Sequence, residues 1–366
     1  MFIAYTYNTY NILLDDYCQA YLMHKIFFCR IMNTENFRRV KMLKLKHLFN
    51  NKDLAFMLLN YWNHDLEDPE QLNKFRISAN AVYPYSYKGD TYYLRFAPSS
   101  EKNFEYLGSE LKYIKFLDDN NYPVVELQKN KLDQDFISAN TPWGLYYTTS
   151  FKKVPGEPAN SLDLNYELIE TFGQSLGKLH FLSKMAPRIN RPSYEDILED
   201  INKSLSTKID QQKALEEVTL LKNYFSRIKQ TENNFGLIHY DFELDNAFYN
   251  KHTKKFFIYD FDDCMYHFFV MDINQSLASI DEYASHLKQQ EAKLAFINGY
   301  TKEKRFLIDD LDHIPACKRF ANLYSYTRIL DSISESWKNE PEWLVNLRKK
   351  LVNALNYKSK KFGMKI

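Results

Sequence analysis

The sequence predicts an α+β protein of two lobes, a small β-rich N-terminal lobe and a larger, mainly helical C-terminal lobe. Three observations predict it: strand-like runs separated by turn residues fill roughly 75–150, helical three-to-four spacing dominates from 161 onward, and 366 residues exceed what one core usually organises. The boundaries that follow are an N-terminal extension, 1–71, helical in part; a β-rich lobe with its linker, 72–156; and a helical lobe, 157–366.

In the extension, YCQAYLMHKIFFCRI at 17–31 is interrupted by His24, Lys25 and Arg30. It is too short to span a bilayer, and no basic stretch precedes it as in a signal peptide. Met32 opens a run that reads as ordinary helix, which makes Met32 a second candidate for the start of translation. FRISANAVYPYSYKGDTYYLRF then holds two β-rich runs joined by Lys88-Gly89-Asp90, a hairpin signal. Leu107, Leu111, Ile114 and Leu117 recur at helical spacing, and Asp-Asn-Asn-Tyr-Pro ends that helix. WGLYYTTSFKK returns to strand and breaks at Pro155-Gly156 and Pro158.

YELIETFGQSLGKLHFLSKM sets Leu168, Phe172, Leu176 and Leu179 on one helical face, and further helices are expected over 194–230, 274–300, 303–308 and 315–357. The exceptions are GLIHYD and KKFFIYDFD, short β-rich runs flanking a loop, from which one small hairpin in the helical lobe is expected.

Composition excludes several classes of function. Lys and Arg total 48 against 47 Asp and Glu, for a net charge of +1, and the basic residues are spread too evenly for a nucleic-acid stripe. Cys18, Cys29, Cys264 and Cys317 include no Cys-x-x-Cys pair, so neither a zinc ribbon nor a disulfide framework is expected, and a reducing, cytoplasmic setting without a membrane partner fits. The 28 Tyr and 27 Phe accompany abundant Asn, Lys and Ile, a pattern of nucleotide bias, so aromatic richness by itself assigns no function.

The informative stretch is GLIHYDFELDNAFYN, followed after five residues by FFIYDFDD. His239, Asp241 and Asn246 stand as His-x-Asp-x-x-x-x-Asn between strand-forming runs, and Asp260-Phe261-Asp262 closes the second. Buried carboxylates need partners. Chemically this is a phosphoryl-transfer set: one carboxylate to accept a hydroxyl proton, and an amide oxygen with a second carboxylate to hold Mg²⁺ on nucleotide phosphates.

These residues resemble the aminoglycoside phosphotransferase and choline kinase superfamily, whose protein-kinase-like fold carries H-x-D-x-x-x-x-N and then I-D-F; Asp272 in FFVMDI also keeps the order. The resemblance implies Asp241 as the catalytic base, His239 as the histidine that organises its loop, and Asn246 and Asp260 as the metal ligands. TYYLRF resembles the strand that supplies a phosphate-binding Lys; here that residue is Arg95, and Glu110 in the next helix matches its pairing acid. Ser78-Ala79-Asn80 stands where a glycine-containing phosphate loop is frequent, and strand Tyr146–Phe151 resembles the connection that receives an adenine edge. Tyr240 replaces a frequent Gly, and Glu243-Leu244-Asp245 a frequent His-Pro-Gly.

The implied activity is ATP- and Mg²⁺-dependent transfer of the γ-phosphate to a hydroxyl of a small molecule such as an aminoglycoside, amino alcohol, homoserine or sugar. Two alternatives stand beside it. A protein Ser/Thr kinase lacks support because CMYHFFVMD leads directly into helix without an activation segment. A catalytically silent nucleotide-binding scaffold is motivated by Arg95 and the glycine-poor loop, and opposed by the complete base and metal set. Acids and aromatics beyond the loop, Asp281, Glu282, Tyr326, Asp331, Glu335 and Trp337, would favour a cationic acceptor if they converged with Glu243 and Asp245. His180 reads as a satisfied core histidine, His286 and His313 lack metal-spaced partners, and no Gly-x-Ser-x-Gly elbow indicates a hydrolase.

Overall fold

The computed structural model describes residues 43–366 except 306 and 307, so Met32, Cys18, Cys29 and the 17–31 segment lie outside the described residues. The chain divides into two compact units: residues up to Glu101 with Lys129–Ser150 and Ser325–Lys360, and Lys102–Gln128 with Phe151–Tyr324 and Lys361–Ile366.

In the first unit, helix α1 (Lys52–Leu59) starts at Asn51, whose side chain accepts the Leu54 N–H at 2.9 Å. Strands β1 (Arg76–Ile77), β2 (Ala81–Tyr87), β3 (Asp90–Pro98), β4 (Phe136–Thr141) and β5 (Gly144–Lys152) form one sheet in the order β1-β2-β3-β5-β4. The hairpin expected at Lys88-Gly89-Asp90 is present. Lys88 and Gly89 are both left-handed, with φ of 52° and 83°, the two-residue turn whose twist matches its strands, and Tyr87 pairs with Asp90. Alternation places Tyr83, Tyr85, Leu94 and Phe96 in one core with Ile137, Ala139 and Tyr146. Helix α1 and Trp62, from the stretch read as an extension, close the same core.

In the second unit, α2 (Phe104–Asp119) is the predicted helix, begun by Asn103 accepting from the N–H groups of Glu105 and Tyr106. It is followed by β6 (Glu157–Pro158), α3 (Tyr166–Ser183), α4 (Tyr194–Ser206), α5 (Gln212–Phe225), β7 (Phe235–Ile238), β8 (Ala247–Asn250), β9 (Lys255–Ile258), β10 (Met265–Phe268), α6 (Val270–Tyr283) and α7 (Gln289–Glu303). Helix α8 (Ile314–Ser332) begins here and ends in the first unit, which also takes α9 (Glu342–Ser359).

Three long helical expectations are each broken. Residues 207–211, with Asp210 left-handed at φ 60°, separate α4 from α5; 284–288 separate α6 from α7; and 333–341, ending in Pro341 at the α9 N-cap, separate α8 from α9. Of the helix expected over 303–308, Glu303 belongs to the end of α7, Ile308 opens a 3₁₀ turn that runs to His313, and 306 and 307 lie outside the described residues. The single small hairpin is corrected too. GLIHYD and KKFFIYDFD do not pair with each other: β7 pairs with β10, and β9 pairs with β8, which in turn pairs with β6.

Helices α3 and α7 approach so closely that a Cβ at Gly299 would lie 1.8 Å from the Glu170 carbonyl oxygen, and one at Gly173 2.0 Å from that of Phe296. Neither oxygen is the end of a flexible side chain, so the helices themselves must part. Gly299→Ala is expected to lower unfolding stability by about 1–3 kcal/mol or more. A denaturant midpoint equal to wild type would refute that contact.

His267 on β10 is wholly buried among Tyr194, Phe225 and Phe320, with ring centres 5.1, 5.0 and 4.8 Å away. Its Nδ1 accepts the Phe268 N–H at 2.7 Å, and burial pushes its pKa down to about 3. Below the ordinary value near 6.5, the unfolded chain therefore binds a proton that the folded chain refuses. Stability should fall as pH drops from about 6.5 toward about 3, by up to about 1.4 kcal/mol per pH unit for this group. His267→Asn, which keeps an acceptor near the Nδ1 position, should be less stable at neutral pH yet show a shallower slope; chemical denaturation across that window reads both.

Candidate active site

The β8–β9 hairpin explains why residues fourteen apart in sequence meet, counting from Asn246 to Asp260. Ala247 pairs with Ile258, so Asn246 just before β8 and Tyr259-Asp260 just after β9 are brought side by side, and the Tyr259 N–H donates to the Asn246 carbonyl at 3.2 Å. The Asn246 amide nitrogen donates to the Asp241 carbonyl at 3.0 Å and reaches its carboxylate Oδ2 at 3.4 Å. That commitment leaves the amide oxygen as the lone-pair donor beside Asp260.

His239 ties the two halves of the loop. Its Nε2 lies 3.1 Å from the Tyr259 carbonyl, and its Nδ1 accepts the Asp241 N–H at 3.2 Å. Both contacts suit one neutral tautomer, with the proton on Nε2. His239 is wholly buried and packed on Phe261 at 4.4 Å between ring centres.

Beneath it lies Asp272 on α6, which accepts the N–H of His239 at 2.8 Å and that of Tyr240 at 2.7 Å. His180 Nε2 sits 3.0 Å from the same carboxylate, and His180 Nδ1 2.9 Å from the Tyr300 hydroxyl. Burial holds the His180 pKa below its ordinary value, although Asp272 favours the proton. This is the satisfied core histidine that the sequence reading expects. Ser276 and Ser279 on α6 complete the support: one donates to the Phe242 carbonyl at 2.9 Å, the other accepts the Leu244 N–H at 3.0 Å.

Two residues of this loop system are held in left-handed backbone, Tyr240 at φ 71° and Asp260 at φ 68°. For a non-glycine residue that costs about 1–2 kcal/mol, offset at Tyr240 by its N–H bond to Asp272 and by ring packing on Tyr324 at 5.3 Å. The aromatic ring that stands for a frequent Gly is thus buried against α8.

Asp241, Asn246, Asp260 and His239 are therefore assembled in the second unit. Glu110 is wholly buried on α2 of that unit, whereas Arg95 is buried on β3 of the first, as are Ala79 and Asn80 before β2. Glu335, one of the acids considered for a cationic acceptor, is committed to Lys44 and Lys46 at 2.8 and 2.7 Å. Asp262 pairs with Lys102, and Arg191 reaches the carbonyls around it. Neither Lys102 nor Arg191 carried a signal in the sequence: each is a basic residue in a loop, far from the motif it touches. Cys264 and Cys317 are buried thiols, and burial pushes Cys264 up to about 12, so neither is a nucleophile here. Among the described residues no helix is long and apolar enough to cross a membrane.

The model of the phosphotransferase enzyme family matches residues 77–306. Amicoumacin kinase of Bacillus subtilis (strain 168) is 23% identical over 303 residues, 78% of this chain and 88% of its own. Among solved structures, amicoumacin kinase hAmiN in complex with AMP-PNP, Ca2+ and Ami is similar with a TM-score of 0.69 at 22% identity, over 84% of this chain and 94% of that one. The microcompartment-associated aminopropanol kinase gives 0.62 at 17% identity, over 85% and 97%. At such identities these two structures speak for the fold, and the fold is protein-kinase-like.

Proposed function

We propose, since this chain belongs to the phosphotransferase enzyme family, that it moves the γ-phosphoryl group of ATP onto a hydroxyl of a small organic molecule, with Asp241 as the base. The observation that carries the reading is the joining of Asp241, Asn246 and Asp260 through the β8–β9 hairpin and the Asn246–Asp241 bonds. An amide oxygen and a carboxylate are hard donors that suit Mg²⁺. Bound there on the nucleotide, Mg²⁺ would neutralise charge on the phosphates.

The chain's own residues do the rest. Asp241 orients the acceptor hydroxyl and takes its proton as the oxygen–phosphorus bond forms and the bond from γ-phosphorus to the bridging oxygen breaks, releasing ADP. His239 holds the Asp241 backbone, and Asp272 holds that of His239 and Tyr240, so the base is fixed before substrate arrives. Arg95, standing where a phosphate-binding Lys is frequent, reaches phosphate oxygens. After Asp260 the chain passes through one 3₁₀ turn and β10 directly into α6, without an activation segment, which supports a small acceptor over a protein one.

Thermal-shift measurement with Mg·ATP, followed by ADP release over a panel of amicoumacin, aminopropanol, aminoglycosides, choline-like alcohols, homoserine and sugars, tests the reading. Turnover on a small alcohol supports it. Binding without turnover on any acceptor supports a silent scaffold, and transfer only to a protein Ser or Thr supports the other alternative. Arg95→Ala should weaken ATP by about 10–100-fold, as loss of charge-assisted bonds to phosphate predicts. Equal ATP affinity in that variant, read by calorimetry, would remove Arg95 from the site. Arg95→Lys sharpens the comparison, since activity at or above wild type would take away the main support for a scaffold.

A further inference from the structure

The turn that follows Asp260 is gripped by a loop no part of the reading above uses. Between α3 and α4, Arg191 donates from Nε to the Cys264 carbonyl at 2.7 Å, from one terminal nitrogen to the Asp262 carbonyl at 2.6 Å, and from the other to the Tyr106 carbonyl at 3.1 Å. Its guanidinium also lies 5.5 Å from the Tyr106 ring centre. The adjacent Asn190 donates to the Glu105 carboxylate at 2.6 Å, so two consecutive residues hold the first turn of α2.

The loop is itself anchored. The Tyr266 N–H donates to the Pro192 carbonyl at 2.9 Å, and the Ile189 N–H to the Tyr266 hydroxyl at 3.0 Å. From the start of α2, Lys102 pairs with the Asp262 side chain.

Arginine is the residue this place requires. Three carbonyls from two segments converge on one planar fork, and an ammonium group cannot span them. The acceptors are backbone atoms, so the bonds fix chain positions rather than side-chain rotamers. One segment begins the helix that carries Glu110, and the other is the turn whose first residue, Asp260, is held left-handed.

We propose that Arg191 is a positioning residue: it latches the first turn of α2 to the Asp260–Cys264 turn, and so fixes the backbone that presents Asp260 to the nucleotide's metal. The metal half of this rests on the phosphotransfer reading; the latch itself does not.

Two measurements on Arg191→Lys separate them. In nucleotide-free protein, amide hydrogen exchange should quicken over Phe104–Glu110 and Phe261–Cys264 while α5 and α7 keep wild-type rates; unchanged rates at both segments would overturn the latch. In calorimetry, ADP with Mg²⁺ should bind about 10-fold more weakly than to wild type, the scale of an outer-shell change at a metal site, with metal-free ADP affinity unchanged. Wild-type Mg²⁺-dependent affinity beside a lowered melting temperature would mean that Arg191 only stabilises the fold, and would overturn the positioning role. A wild type that binds ADP equally with and without Mg²⁺ would overturn the phosphotransfer reading and the metal half with it, while the exchange result still decides the latch. Should Arg191→Lys not fold, Arg191→Gln, whose single amide nitrogen cannot reach all three carbonyls, repeats both measurements; faster exchange over Phe104–Glu110 and Phe261–Cys264 is again expected, and wild-type rates at both segments would overturn the latch.

Discussion

Asp241→Asn should lower turnover on an accepted alcohol by roughly 10²–10⁴-fold, the range for loss of a general base, while Mg·ATP still binds. The geometry makes this a narrow test. Two of the contacts that place residue 241 are made by its backbone, the N–H to His239 Nδ1 and the carbonyl to the Asn246 amide, and both survive the substitution. An amide at 241 can still turn its oxygen toward the Asn246 nitrogen, replacing the 3.4 Å contact of the carboxylate. What is lost is a site basic enough to take the acceptor's proton. The melting temperature should therefore stay near wild type, and ATP affinity with it. Turnover close to wild type would mean that another group takes the proton, or that solvent does. It would also weaken the roles given to His239 and Asn246, whose contacts serve to place Asp241.

How much of this was legible in the sequence depends on how local each feature is. The proximity of Asn246 to Asp260 was readable because the residues lie within one short stretch, and the hairpin that joins them is closed by a short turn between β8 and β9. The α2 periodicity and the Lys88-Gly89 turn were readable for the same reason. The partner of GLIHYD was not: β10 is four residues, MYHF, between the Asp-rich turn and a helix, too short to announce itself. The breaks between α4 and α5, and between α6 and α7, carry no Gly or Pro, so helical spacing ran across them. Contacts set only by tertiary packing left no trace at all. Arg191 meets Tyr106 across 85 positions, and Gly299 leaves room for Glu170 across a helix pair; in either case the residue type alone looks ordinary.

The metal ligand proposed at Asp260 offers the second large effect, and here the backbone changes which variant is informative. Asp260→Ala should abolish transfer, since losing the metal removes several kcal/mol of charge stabilisation, or about 10³-fold or more at 1.4 kcal/mol per decade. On charge alone, alanine at this position would be neutral for stability, because it relieves a crowd of acids. The structure corrects that: residue 260 is left-handed at φ 68°, a conformation Asp tolerates better than Ala, so Asp260→Ala should also lose about 1 kcal/mol of stability. Asp260→Asn keeps the shape and the tolerance for φ while removing the charge. Asp262 cannot readily take over, because its carboxylate is paired with Lys102 and its carbonyl with Arg191. The expected pair of results for Asp260→Asn is a near-native melting temperature without nucleotide and a loss of the extra stabilisation that Mg²⁺ gives to the ADP complex. Retained Mg²⁺-dependent stabilisation with retained transfer would show that the wrong carboxylate has been assigned, and Asp262→Asn would be the variant to measure next. A collapsed fold in Asp260→Asn would instead make Asp260 a structural residue of the turn, leaving Asn246 without the partner that the β8–β9 register sets beside it.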